Sequence, residues 1–197
     1  MGESKFLGPA LHQGDHLVAV ELSLDLSAVD RHHTIVESAA TAPVLVWADE
    51  AATAAFAAHW ATQPELAHAF IALHGDLGAG KTTLVRHLLQ ALGVTGRIKS
   101  PTYAVVEPYE LPALNIWHFD FYRFNDPREW EEAGFRDIFA SPGLKLAEWP
   151  DKAANVLPVA DVTLHLRTLD DNRREVTLSP GTARGQALVA SALEARA

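Results

Sequence analysis

Phe70-Ile71-Ala72-Leu73-His74-Gly75-Asp76-Leu77-Gly78-Ala79-Gly80-Lys81-Thr82-Thr83-Leu84-Val85 is the stretch of this 197-residue chain that decides its fold class. Phe70 to His74 read as a short apolar strand. The strand runs directly into Gly75 to Thr82, which satisfies the pattern G-x-x-x-x-G-K-[ST] at every fixed position. Behind the turn, Lys81 to Leu92 places Leu84, Val85, Leu88, Leu89 and Leu92 on one face of a predicted amphipathic helix, and Gly93 ends it. Each residue type in the turn has a physical reason. Gly75, Gly78 and Gly80 let the backbone reach conformations closed to other residues. The N–H groups of the turn then converge on an anion, and the following helix adds the positive end of its dipole. Lys81 is expected to reach the β- and γ-phosphates of a nucleotide, and the Thr82 hydroxyl to ligate Mg²⁺. Asp76, Leu77, Ala79 and Thr83 complete the predicted phosphate cradle.

Outward from the cradle the chain alternates strand-like and helix-like runs. Val44 to Trp47 reads as a strand, and Asp49 as the cap of a helix reaching about Trp60. Tyr103 to Glu107, Leu114 to Phe119 and Leu144 to Trp149 read as further strands, and Pro127 to Gly134 as an acidic helix. Val162 to Leu169 and Arg174 to Leu178 flank Asp170-Asp171-Asn172, a hairpin signature. The Ala-rich tail from Thr182 reads as a helix. The expectation is an α/β fold with a P-loop NTPase-like sheet, mixed but mostly parallel, with helices on both faces and a C-terminal hairpin.

Residues 1–42 differ in character. They hold Gly8-Pro9, several His and a Ser/Ala/Thr-rich stretch, with an alternating segment over Val18 to Leu26 that suggests a strand. They are expected to form an N-terminal extension, partly disordered and without chemistry, ahead of an ATPase domain over 43–197. Neighbouring residues on a strand face opposite ways, so His32-His33 is expected to be a solvated loop pair and not a metal site.

Composition narrows the function. Hydrophobic residues are 48% and charged residues 21%, as in a globular protein with a true core. No apolar run approaches the ~18 residues needed to span a bilayer, and no secretory signal is expected at residues 1–10, so the cytoplasm is the default location. Asp and Glu outnumber Lys and Arg by 25 to 16, giving a net charge of -9. Strong direct binding of nucleic acid is therefore not expected. With no cysteine, disulfides, thiolate metal sites and a thiol nucleophile are excluded.

Two acids stand at predicted strand ends: Asp120 after Leu114 to Phe119, and Glu148 after Leu144 to Ala147. In an open α/β sheet the ligand lies beyond the carboxyl ends of the strands. Either acid could hold Mg²⁺ while the other positions water. Thr102, in Ser100-Pro101-Thr102 behind the P-loop helix, stands where a switch segment senses a γ-phosphate. Trp149 and Tyr103 could offer stacking surfaces for a base, although core or rim packing is the plainer expectation for both, and His118 is expected to be a strand residue satisfied by a neighbour.

With these residues placed, the chain resembles the TsaE family, the ATPase subunit of the bacterial tRNA threonylcarbamoyladenosine machinery. The resemblance is carried by Gly75 to Thr83, Lys99-Ser100-Pro101-Thr102-Tyr103, His118-Phe119-Asp120-Phe121-Tyr122-Arg123 and Glu148-Trp149-Pro150, in that order, and it covers roughly Val46 to Leu178. It implies that Thr82 and Glu148 ligate Mg²⁺, that Asp120 is the Walker-B-like acid, and that Thr102 is the switch threonine. It places Trp149, Glu50 and Arg173 or Asn172 near the nucleotide. Lys81, Asp120 and Thr102 are then the residues expected to act in catalysis. It further implies ATP as substrate and a partner heterodimer of two related subunits that modifies adenosine 37 of tRNA, with hydrolysis resetting that complex. Phe121 departs from the Leu usual in the family, and residues 1–42 and about the last 18 fall outside the pattern.

The reaction expected is in-line attack of water on the γ-phosphate, slow in the isolated chain, with Arg123 the one candidate for a built-in arginine finger. Two rivals stay open: a small-molecule or nucleoside kinase, although no Arg-rich lid is visible, and an ATP-gated adaptor in which hydrolysis is incidental. A GTPase is disfavoured because no Asn-Lys-x-Asp string occurs.

Overall fold

A computed structural model describes residues 42–194. The predicted strand over Val18 to Leu26 and the His32-His33 pair lie outside these residues. Within them, β1 (Val44–Trp47) leads into α1 (Glu50–Ala61), and β2 (Phe70–His74) and α2 (Lys81–Ala91) flank the cradle. Then come β3 (Val106–Leu111), β4 (Leu114–Asp120), α3 (Pro127–Glu132), α4 (Phe135–Ala140), β5 (Leu144–Glu148), β6 (Val162–Thr168), β7 (Arg174–Pro180) and α5 (Ala183–Glu194).

The seven strands form one sheet in the order β1-β7-β6-β2-β5-β4-β3. The four central strands are parallel, with β2 between β6 and β5, and β4 beyond β5. The flanking pairs β6–β7, β1–β7 and β3–β4 are antiparallel. This is the expected mixed α/β sheet with its C-terminal hairpin, and the parallel part is its middle.

Burial explains the order. Phe70 to Leu73 and all of β5 are buried, as strands covered on both faces must be. Alternation sends Ile71, Leu73, Leu144 and Leu146 into one cluster with Phe56, Trp60, Leu84, Leu88 and Leu188 of α1, α2 and α5. It sends Phe70, Ala72, Phe119 and Ala147 into a second, aromatic cluster with Phe121, Phe124, Trp130 and Phe135. Each cluster buries side chains worth about 1.5–3 kcal/mol apiece, so the sheet is fixed from both sides. Asp49 caps α1, accepting from Ala52 N at 2.8 Å.

Several strand ends differ from the sequence reading, and two of the differences shape the site. The strand predicted over Tyr103 to Glu107 begins at Val106 and runs on to Leu111. Val105 is in the left-handed region at φ 66°; its N–H donates to Pro101 O (2.7 Å) and its carbonyl accepts from Asp120 N (2.9 Å). These bonds curl 101–105 into a turn, which a strand could not do. β5 stops at Glu148, because Trp149 turns left-handed at φ 56°. Helix α4 follows Gly134 and had no signal longer than six residues to announce it.

Candidate active site

Strand parity places the chemistry. In β4 the residues Ile116, His118 and Asp120 share a face, and in β5 so do Leu144, Leu146 and Glu148. Ile116, Leu144 and Leu146 belong to the core cluster that includes α2, so His118, Asp120 and Glu148 face the cradle side. Asp120 and Glu148 are partners in the parallel register, and both are buried. Phe121 N donates to Glu148 O at 3.0 Å and Trp149 N to Leu73 O at 3.3 Å, which ties the ends of three adjacent strands together.

The cradle has the shape its glycines allow. Gly75 sits at φ 139°, and a Cβ there would meet the Leu166 carbonyl oxygen at 2.4 Å, so only glycine fits between the turn and β6. Gly80, at φ 106°, caps α2, which opens with Lys81 and Thr82. The first-turn amides of a helix have no intrahelical partner and are free to meet an anion. Lys81 is 4% exposed. Its ammonium donates to Gly75 O (2.5 Å) and Asp76 O (2.9 Å) and lies 3.9 Å from the centroid of the Trp149 ring. Burial pulls its pKa below the usual lysine value, and the charges of Glu148, Asp120 and Asp76 pull it back up.

Thr82 Oγ1 donates to the Glu148 carboxylate, 2.9 Å from Oε1 and 2.8 Å from Oε2. His118 Nε2 stands 2.9 Å from Glu148 Oε1. Asp120 Oδ2 accepts from the hydroxyls of Ser100 and, at 2.7 Å, Thr102, while Oδ1 accepts from Tyr122 N at 2.9 Å. The donors in reach are hydroxyl and carboxylate oxygens, which is the chemistry a hard divalent cation takes. Lys81, Thr82, Thr83, Thr102, Asp120, Glu148 and Trp149 all line one cavity of about 260 Å³, together with Leu77, Gly78, Gly80, Ser100 and Tyr122. A second cavity of about 120 Å³ shares Gly80 and Thr83 with it and is lined by Trp47, Glu50, Ala79, Asn172 and Arg174. Glu50 is held by His87 (2.9 Å) and Arg86 (3.0 Å), and these two bonds, that of His87 foremost, keep its carboxyl below the usual carboxylate range.

The sequence-predicted residues thus divide. Lys81, Thr82, Asp120, Glu148, Thr102 and Trp149 come together. Glu50 stands across the cradle in the smaller cavity. Arg173 turns away: its Nε bonds Asp171 Oδ2 at 2.5 Å, and the hairpin residues that line the cavity are Asn172 and Arg174. Arg123 also stays outside both cavities, its guanidinium 4.4 Å from the ring centroid of exposed Tyr103. Sequence reading gave Tyr122 no role at the site, and it packs on Trp149 at 5.0 Å; His118 is a strand residue bonded to a neighbour, as expected, and that neighbour is Glu148. For His118 the signal was present, since it is two residues before Asp120 on the same strand.

The family model described as Threonylcarbamoyl adenosine biosynthesis protein TsaE matches residues 47–176. The tRNA threonylcarbamoyladenosine biosynthesis protein TsaE of Haemophilus influenzae is 48% identical over 101 residues, 51% of this chain and 64% of that protein. The protein of the same name from Bacillus subtilis is 34% identical over 109 residues, 55% of this chain and 68% of its own length. That from Treponema pallidum is 34% identical over 109 residues and is matched over 80% of its length. Among solved structures, the crystal structure of Bacillus subtilis YdiB superposes with a TM-score of 0.62 at 25% identity, covering 79% of this chain and 98% of that one. The match therefore spans just under two thirds of the Haemophilus protein, and most of YdiB.

Proposed function

The chain belongs to the TsaE family of threonylcarbamoyl adenosine biosynthesis proteins, and from that premise we propose that it is an ATPase serving tRNA threonylcarbamoyladenosine formation. It binds ATP in the cradle and cleaves it to ADP and phosphate, acting on a heterodimer of two related subunits that modifies adenosine 37. One observation carries the reading. Thr82 at the start of α2 and Glu148 at the end of β5 meet within 2.9 Å, beside Lys81 and next in register to Asp120.

Mg²⁺ fits this donor set: Thr82 and Glu148 would hold it, and it would supply positive charge to offset that of the phosphates. The side chains do the rest. Lys81 exchanges its two carbonyl partners for phosphate oxygens, and cradle amides stabilise the leaving diphosphate. Trp149 and Tyr122 form an apolar wall on the phosphate side, while Trp47, Asn172 and Arg174 line the cavity that takes the rest of the nucleotide. Asp120 fastens the Ser100 and Thr102 hydroxyls where the γ-phosphate ends, so that Thr102 senses whether that phosphate is present. Water attacks the γ-phosphorus, its oxygen bonds to phosphorus, the bond to the bridging oxygen of ADP breaks, and the water's protons leave on the released phosphate and to solvent.

Titration calorimetry with ATP and ADP, with and without magnesium, and steady-state phosphate release, with and without the partner heterodimer, test this reading. Magnesium-dependent nucleotide binding, slow turnover alone and altered turnover in the complex are expected. A chain that binds no nucleotide sinks the reading; equal, fast turnover in both conditions sinks the role of the heterodimer.

A further inference from the structure

The cluster around Glu148 contains a residue that the proposed reaction does not use. His118 is fully buried, at 0% exposure, on β4, the last of the parallel strands before β3. Burying a polar ring is costly unless its nitrogens are bonded, so the one bond this ring makes matters to its place in the core. Its Nε2 lies 2.9 Å from Glu148 Oε1, and the two side chains are 0% and 3% exposed. A carboxylate only accepts, so the hydrogen of this bond sits on Nε2. Nδ1 has no hydrogen-bond partner among the described residues. All the polar anchoring of the ring is therefore directed at one oxygen of one carboxylate.

The consequence falls on that carboxylate. Thr82 Oγ1 lies within 2.9 Å of both Glu148 oxygens and so does not choose between them. His118 does: it touches Oε1 and not Oε2. Register fixes the distance, because His118 pairs with Leu146 and its neighbour Asp120 pairs with Glu148 across the β4–β5 ladder. The pairing of β4 with β5 holds the backbone of His118 opposite the end of β5, and full burial restricts the rotation of its ring. We propose that His118 is a positioning residue that sets the rotation of the Glu148 carboxylate and leaves Oε2 presented, together with Thr82, to a divalent cation. The proposal rests on the magnesium reading above and adds to it the group that orients the ligand. Groups that orient a metal-holding side chain in this way typically change metal affinity about 10- to 100-fold when removed.

The test separates metal affinity from nucleotide affinity. A Gln amide nitrogen reaches the place of Nε2, whereas an Asn amide nitrogen reaches only the place of Nδ1. Mn²⁺ binding to the full chain with ADP is followed by electron paramagnetic resonance, and ADP binding in excess chelator by a fluorescent analogue. Expected for His118→Asn and His118→Leu is an Mn²⁺ dissociation constant raised about 10- to 100-fold, with chelator-phase nucleotide affinity within about twofold. His118→Gln is expected to restore Mn²⁺ affinity to within about threefold of the unmodified chain. Mn²⁺ affinity that is unchanged in His118→Asn but lost in Glu148→Gln overturns the positioning role and leaves the site reading standing. An unmodified chain that takes up no Mn²⁺ with ADP overturns both. Should the Asn and Leu chains fail to fold, ¹⁵N spectra of the unmodified protein decide. A hydrogen on Nε2 whose shift moves when Mg²⁺·ADP is added supports the proposal, and a hydrogen on Nδ1 overturns it.

Discussion

Thr82 and Glu148 are 66 residues apart in sequence, yet the Thr82 hydroxyl lies 2.9 and 2.8 Å from the two oxygens of the Glu148 carboxylate. Each is conspicuous in sequence for its own reason, Thr82 as the last fixed position of the glycine-rich pattern and Glu148 as an acid at a strand end. Together they supply neighbouring hard oxygen donors at the rim of the phosphate cradle, and the first prediction follows from that pair.

Glu148→Gln keeps the shape of the side chain and one acceptor oxygen but removes the charge. Phosphate release is expected to fall about 100-fold or more, in line with loss of one electrostatic contribution to a transition state. ATP binding in excess chelator is expected to stay within about twofold. Steady-state kinetics paired with chelator-phase binding check this. A loss of equal size in both measurements means that Glu148 supports the fold and not the metal.

Lys81→Ala removes a cation whose partners in the structure are Gly75 O and Asp76 O. ATP and ADP affinity is expected to fall at least about tenfold, whereas AMP, which lacks the β- and γ-phosphates that Lys81 is built to meet, changes little. Competition against a fluorescent nucleotide separates the three. A uniform loss across ATP, ADP and AMP would falsify the assignment of Lys81 to the distal phosphates.

Gly185→Ala tests packing far from the cradle. In an open helix this change stabilises by about 1 kcal/mol. In α5, however, the added Cβ would stand 1.7 Å from the Asp161 carbonyl oxygen, a backbone atom that cannot step aside. Overpacking of this kind costs about 1–3 kcal/mol or more and outweighs the helix gain. The melting temperature is expected to drop by several degrees, about 2–4 °C per kcal/mol for a domain of this size. Gln186→Ala, one residue along and exposed, is the control expected to show no loss. A rise in melting temperature for Gly185→Ala means that α5 does not press on Asp161.

His165 stacks on His74 with ring centroids 4.5 Å apart, and His74 Nδ1 lies 3.0 Å from Asp151 Oδ2. Partial burial, then the neighbouring His74, hold the pKa of His165 below the ordinary 6.5, while Asp151 acts the other way. The unfolded chain therefore binds more protons than the folded one in this range. The contribution to stability is complete above about pH 6.5 and is lost as pH falls through the folded value. NMR titration of the ring protons is expected to give a midpoint under 6.5 for His165. His74→Gln is expected to raise that midpoint part of the way, since burial remains. No movement on His74→Gln means that the stacked ring contributes nothing.

The readable part of this sequence was its local part. β2, the cradle and α2 are contiguous, and each is announced by periodicity or glycine, so Phe70–His74 was read to the residue. The β6–β7 hairpin is local in the same way. The misplaced strand at Tyr103 to Glu107 failed because Val105 takes φ 66° through a bond to Asp120, fifteen residues on. Propensity favours Val in a strand, and a bond from the distant Asp120 backbone N–H overrode it. Arg173 and Arg174 cannot be told apart from sequence: which of the two faces the cradle depends on where the hairpin enters strand pairing, and Arg174 is the residue paired with Trp47. The bond between His118 and Glu148 was legible only in halves, as parity on each strand, until the sheet order put the strands side by side.

Glu148 ends β5, a strand buried on both faces between β2 and β4. Thr82 stands in α2, so a ligand held by Glu148 and Thr82 together ties that helix to a central strand of the sheet and not to an edge. Nucleotide with metal should therefore slow amide exchange most in the slowest class, β2 and β5, and little in β1 or β3. Occupancy of the cradle is in this sense a clamp on global unfolding, and a cellular protease that waits for the chain to open would register it as a longer lifetime.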